Sequence, residues 1–266
     1  MNAESTAPKI PLKTVAVPSE HGGWGFTLEP ILLGLLVAPS WAGMGLGVGA
    51  LAAFFTRHPL KLWLADTKKG RRFPRTLLAM RFALLYGSLG LLGLALAFTK
   101  AEGAFWWPLV AASPLVGLQL WFDAHNRGRN LLPEVSGAAA LGSVAASMAL
   151  AGNQQTSVAL GLWLLLAMRA LAAIVYARAQ VMRARGRPVQ LAKVYQVEIF
   201  ALGVVALCAL TGLVPWLSVL ALGLLLPYSA YTFSKPPVAA KLVGWSQMAF
   251  GLLVVLLTAA GYRLGL

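Results

Sequence analysis

Apolar runs of about twenty residues alternate along the chain with short polar breaks. At 1.5 Å rise per residue, a run of that length crosses the hydrocarbon core of a bilayer. The pattern predicts nine helices, near residues 22–39, 42–64, 76–98, 104–122, 133–151, 157–183, 195–213, 215–233 and 241–262. The breaks at Pro39-Ser40, Gly152-Asn153-Gln154-Gln155 and Val214-Pro215 read as tight turns, whereas the segments after the second and sixth helices are long and basic. The expected fold is all-α: a polytopic transmembrane bundle of about nine spans. Residues 1–19 read as an N-terminal tail and 20–266 as one transmembrane domain, with basic connections near 57–75 and 178–195.

Composition closes off the soluble alternatives. Of the 266 residues 59% are hydrophobic and 11% charged, with mean hydropathy +0.73, against about 25% charged in aqueous domains. The net charge of +14 is not a nucleic-acid signal, because too little polar chain remains to build a wetted basic surface. Its position is more informative than its size. Twenty of the 22 Lys and Arg residues fall before the first predicted helix or around the connections after the second, fourth, sixth and eighth, leaving Lys100 and Arg263 on the other face. The positive-inside rule then places the N-terminus in the cytoplasm and, with nine spans, the C-terminus outside. Trp41, Trp63, Trp106, Trp107, Trp121, Trp216 and Trp245 sit near predicted helix ends, as interfacial belts require. Cys208 is the single cysteine and lies in an apolar run, so neither a disulfide nor a thiolate metal site is expected. Met1 to Ser19 has no apolar core of its own, and no cleaved leader is expected there.

Polar groups inside apolar helices are costly, and each calls for a reason. Ser19-Glu20-His21-Gly22-Gly23-Trp24 opens the first helix. The segment suits a helix cap followed by close-packing glycines, but Glu20 and His21 together at a cavity mouth also suit proton transfer or anion contact. Glu29 lies about two turns deeper, beside Pro30, where its structural alternative is a buried pairing with Arg169. Arg57 and Lys61 share one helix face, and Arg169 lies near mid-span, followed by Tyr176, Arg178, Gln180 and Arg183. Lys61 and Arg183 are near enough to a helix end to snorkel; Arg169 is not. Asp123 and His125 are too few and too loosely spaced to define a metal site. Glu134 beside Pro133 favours a helix start, and Ser136 and Ser143 read as small packing residues rather than nucleophiles.

Three stretches carry a family resemblance: Pro18-Ser19-Glu20-His21-Gly22-Gly23-Trp24, Arg57-His58-Pro59-Leu60, and Arg129-Asn130-Leu131-Leu132-Pro133-Glu134-Val135-Ser136-Gly137. They resemble the YwiC-like family of bacterial integral membrane proteins, which implies a bacterial inner-membrane location but brings no settled activity. A more distant similarity is to the UbiA superfamily of intramembrane prenyltransferases, through nine helices, long connections after the second and sixth, and the opening of the fifth. Those enzymes hold magnesium on a diphosphate with two Asp-rich motifs. Here Arg57 to Arg75 contains only Asp66 among carboxylates and Tyr176 to Lys193 contains none, so magnesium, which needs hard oxygen ligands, is not expected. No other cofactor is implied.

Three functions are compatible with these features. The first is an enzyme or binder acting on an anionic, lipid-like substrate in a cytoplasm-facing cavity; if an enzyme, it resembles a UbiA-like transferase without the magnesium motifs. Its candidate catalytic groups are Glu20, His21, Glu29 and Glu134, and its substrate contacts Arg57, Lys61, Asp123, Arg169, Tyr176 and Arg178, with no metal ligand among them. It requires Glu20, His21, Glu29, Arg57, Lys61, Asp123, Glu134 and Arg169 to converge on one cavity opening sideways to lipid. The second is a small-anion transporter with Glu29 and Arg169 at the midplane. The third is a non-catalytic assembly partner whose basic face sets topology and attracts anionic lipid. Membrane lipid is the expected partner in each, and nucleic acid in none.

Overall fold

The computed structural model of the chain describes residues 12–18, 21–68, 70 and 73–265, with His21 and Gly22 described by backbone alone. Glu20 and the His21 side chain lie outside the described residues. Eleven helices occur among the described residues and no strand. They are α1 Leu12–Ala16, α2 His21–Val37, α3 Trp41–Lys68, α4 Pro74–Lys100, α5 Trp107–Ala124, α6 Leu131–Ala151, α7 Thr156–Ala184, α8 Leu191–Leu210, α9 Trp216–Gly223, α10 Leu225–Phe233 and α11 Ala240–Leu264. Each of the nine apolar runs is thus helical, with α9 and α10 together making the eighth. Pro227 has no N–H to give the carbonyl of Gly223, which accounts for the break between those two helices.

Six helical segments are long and apolar enough to cross a membrane: α4, α6, α7, α8, α9 with α10, and α11. The others among α2 to α11 fall short for identifiable reasons. The described part of α2 has 17 residues. In α3, glycines 43, 45, 47 and 49 and then Arg57 and His58 dilute the apolar residues, as Pro108, Pro114, Gln119 and Asp123 do in α5.

Helices that follow one another reverse direction, so their ends collect at two poles. At one pole Tyr262 Oη donates to Leu213 O at 2.7 Å, an Arg263 guanidinium nitrogen donates to Leu36 O at 3.4 Å, and Gly152 abuts Ala38. At the other, Arg57 of α3 meets Asp123 of α5, Arg178 of α7 meets Glu134 of α6, and Arg183 of α7 donates to the carbonyl of Lys235 after α10. Lys100 and Arg263 close the helices at the first pole, and most of the remaining described cations lie toward the second.

Packing ranks the helices from centre to edge. In α6, 72% of the membrane-length window is buried, against 11% in α4, so α6 is the axis of the bundle and α4 its rim. The core joins Leu33 of α2 and Ala145, Ala146 and Ala149 of α6 to Leu162 and Leu165 of α7, Val205 of α8, Ala221 of α9 and Val254 and Val255 of α11. Hydrophobicity does not hold helices together in lipid; close van der Waals contact does. The α3–α4 hairpin shows how. A Cβ on either Gly45 or Gly93 would lie 2.5 Å from the other's carbonyl oxygen, so the two backbones touch.

Candidate functional site

Toward the interior, three helices bring polar groups together. Glu29 of α2, Arg169 of α7 and Gln247 of α11 are 6%, 1% and 8% exposed, which puts a full ion pair inside the bundle. The Arg169 Nη2 donates to the backbone carbonyl of Gln247 at 2.5 Å and to Glu29 Oε1 at 3.4 Å, and Nη1 donates to Gln247 Oε1 at 3.5 Å. Two donors, Arg169 Nε and Gln247 Nε2, have no partner. Gly251, one turn beyond Gln247, is necessary to this geometry, because a Cβ there would occupy the position of the Glu29 carboxylate. Glu29 and Gln247 belong to different helices, and the Arg169 fork ties both to α7.

On the basic side of this clamp, α2 and α11 part to form a groove of about 270 Å³ lined by Trp24, Leu28, Lys241, Gly244, Trp245 and Met248. The lining is almost entirely apolar, with Lys241 in the first turn of α11 as its cation. Leu28 and Met248 are the chain neighbours of Glu29 and Gln247, so the groove ends where the clamp begins. Gly244 leaves room beside Trp245, whose ring is half exposed.

The remaining predicted site residues form separate pairs. Arg57 Nη2 meets Asp123 Oδ2 at 2.5 Å between α3 and α5. Gly128 leaves space for that carboxylate. Arg178 Nη1 donates to Glu134 Oε2 at 2.9 Å and to the carbonyl of Arg129 at 2.8 Å, tying α7 to the start of α6. Lys61 is exposed, and Tyr176 is buried with its hydroxyl 2.9 Å from Thr232 Oγ1. Six of the predicted charged groups therefore lie in three ion pairs on different helix pairs, and neither they nor Lys61 line the groove.

Sequence reading named Glu29 and Arg169 but missed their third partner, Gln247, and the groove residue Lys241. It also passed over Glu198 of α8, 2% exposed and bonded to Ser229 of α10. Glu198 is the one charge within its apolar run, which is the signal that would have found it.

Among the described residues, Asp66 is not free to serve as a magnesium ligand. Asp66 accepts from Arg75 Nε at 3.1 Å, Arg75 Nη2 at 2.8 Å and Thr76 Oγ1 at 2.9 Å, which engages both of its oxygens. Among the described residues no three His, Cys, Asp or Glu side chains gather as a metal would need.

An all-helical bundle with six membrane-length apolar segments, charges segregated to one pole and a buried ion pair is a multi-pass integral membrane protein. Residues 17–149, half the chain, match the family of YwiC-like proteins, and the chain belongs to that family. No curated protein and no solved structure matches it, and the expected similarity to the UbiA superfamily is not shown.

Proposed function

We propose that the protein binds an anionic amphiphile laterally, in the groove between α2 and α11, on the cytoplasmic side of a nine-pass fold. In this reading α2, α3 and α5 cross the membrane with the others, and the basic pole faces the cytoplasm. The observation that carries the proposal is the groove's polarity pattern: Lys241 at the mouth, the indoles of Trp24 and Trp245 along the rim, and apolar walls leading inward to Leu28 and Met248. A lipid-like anion has the same sequence of chemistry, from headgroup to chain. Its negative group would meet the Lys241 ammonium, its glycerol region the indoles, and a section of chain the apolar walls.

The groove is small for a whole lipid, since ligand pockets commonly hold about 300–1,000 Å³. A single chain segment suits it, with the rest of the amphiphile in the bilayer. The buried clamp then has a positioning role, because Arg169 fixes α2 to α11 at the inner end of the groove and sets the distance between its walls. Arg57 and Asp123, like Arg178 and Glu134, hold the surrounding helices in register rather than contacting the ligand.

The test is lipid retention by the purified protein under native mass spectrometry, after exchange into mixed phosphatidylglycerol and phosphatidylcholine micelles. Wild type is expected to keep phosphatidylglycerol preferentially. Lys241→Glu should abolish that preference, whereas Lys235→Glu, on the same pole but outside the groove, should preserve it. Equal loss in both variants would mean that the basic pole attracts anions without a defined site.

A further inference from the structure

A second buried polar group lies away from the clamp. Glu198 points inward from α8, although its neighbours Ile199 and Phe200 are each 58% exposed on the outer face. Its Oε1 accepts from Ser229 Oγ at 2.6 Å, and its Oε2 is buried with no partner. Unlike Glu29, it has no cation within ion-pairing distance among the described residues.

The titratable and charged groups on the elements around it do not neutralise it. From α7 these are Arg169, Tyr176, Arg178 and Arg183: Arg169 is directed to Glu29 and Gln247, Arg178 to Glu134 and the carbonyl of Arg129, and Arg183 to Gln180 Oε1 and the carbonyls of Thr232 and Lys235. From α10 they are Tyr228 and Tyr231; from α8 itself, Tyr195, the exposed Lys193 and, nearly three turns further along, Cys208; α9 has none. A carboxylate without a cation is strongly disfavoured in such surroundings, whereas the neutral acid costs far less and supplies a proton to the orphaned oxygen.

Other polar groups lie between this carboxyl and the basic pole. Thr232 Oγ1 donates to the carbonyl of Ser229 at 3.1 Å and is 2.9 Å from Tyr176 Oη. Gln180 Nε2 donates to both hydroxyls at 3.2 Å, and Arg183 reaches Gln180 from the pole. We propose that Glu198 is an intramembrane proton-binding site, its proton carried on the unpartnered Oε2 while Oε1 is held by Ser229. The step is proton addition to Oε2 of the carboxylate, giving the acid, and its reversal; no other bond changes.

Dicyclohexylcarbodiimide, which modifies protonated carboxyls in apolar surroundings, tests the site directly on reconstituted wild-type protein, with the adduct mapped by peptide mass spectrometry. The site predicts modification of Glu198 that is several-fold lower at pH 9 than at pH 6, unchanged when sodium chloride replaces choline chloride, and lost in Glu198→Gln. No adduct, or one independent of pH, overturns the proposal. Protection by sodium overturns it too, by showing a metal-cation site in place of a proton site.

Discussion

Glu29 and Arg169 show how a buried charge pair is made tolerable and what it costs to break. Their N–O distance of 3.4 Å is long for a charge-assisted bond, and the guanidinium makes its shortest contact with the Gln247 carbonyl. The arrangement is therefore a three-helix clamp more than an isolated ion pair. Removing one charge leaves the other buried, so Arg169→Leu should destabilise the protein by about 3–5 kcal/mol, read as a lowered unfolding temperature in detergent. Glu29→Leu combined with Arg169→Leu should recover much of that loss. If the double variant were no more stable than the single one, the charges would not be acting as a pair. Gly251→Ala puts a methyl group where the Glu29 carboxylate lies; overpacking of this kind costs about 1–3 kcal/mol. The same melting assay should show that loss, and wild-type stability in Gly251→Ala would refute the packing argument.

The pairing of Glu29 with Arg169 could be anticipated from sequence because both are charges at mid-span with no interface in reach. The alliance of Asp123 with Arg57, or of Glu134 with Arg178, could not. These residues are 66 and 44 positions apart, and each lies near a helix end where solvent, headgroup or ligand is an equally plausible partner. Gln247 was hidden for a different reason: an amide in an apolar helix carries no charge to draw attention, and its role depends on a backbone carbonyl that any residue would supply.

Helix positions follow closely from the apolar runs, because in lipid a backbone must satisfy its own hydrogen bonds and a helix does so within one segment. Departures from the expected nine segments come from prolines and glycines. Pro227 divides the eighth segment into α9 and α10, and the glycines of α3 trade hydropathy for close approach to α4. That trade has a consequence. Gly45→Leu should separate the α3–α4 hairpin and lower the unfolding temperature, whereas Gly87→Leu, where an added Cβ meets nothing within 4 Å, should be tolerated. Equal effects of the two substitutions would contradict backbone contact as the basis of the hairpin.

For the molecule as a whole, the segregation of charge is the most economical guide to orientation. If the basic pole is cytoplasmic and nine segments cross, a cysteine at Glu102, beside Lys100, should react with a membrane-impermeant maleimide on intact cells. One at Gly186 should react only after permeabilisation, both in a Cys208→Ala background. The opposite pattern would invert the topology. Composition could give the existence of two poles, but not the groove, because α2 and α11 are far apart in sequence and only the tertiary arrangement brings Leu28 beside Met248.

The central claim is that an anionic amphiphile lies between those two helices. A phosphatidylglycerol analogue with a diazirine in its acyl chain, photolysed in reconstituted membranes and mapped by peptide mass spectrometry, tests it most directly. Enriched adducts on residues 24–28 and 244–248, competed by unlabelled phosphatidylglycerol and lost in Gly244→Trp, are the predicted result. Adducts spread without competition along the exposed face of α4 would contradict the account.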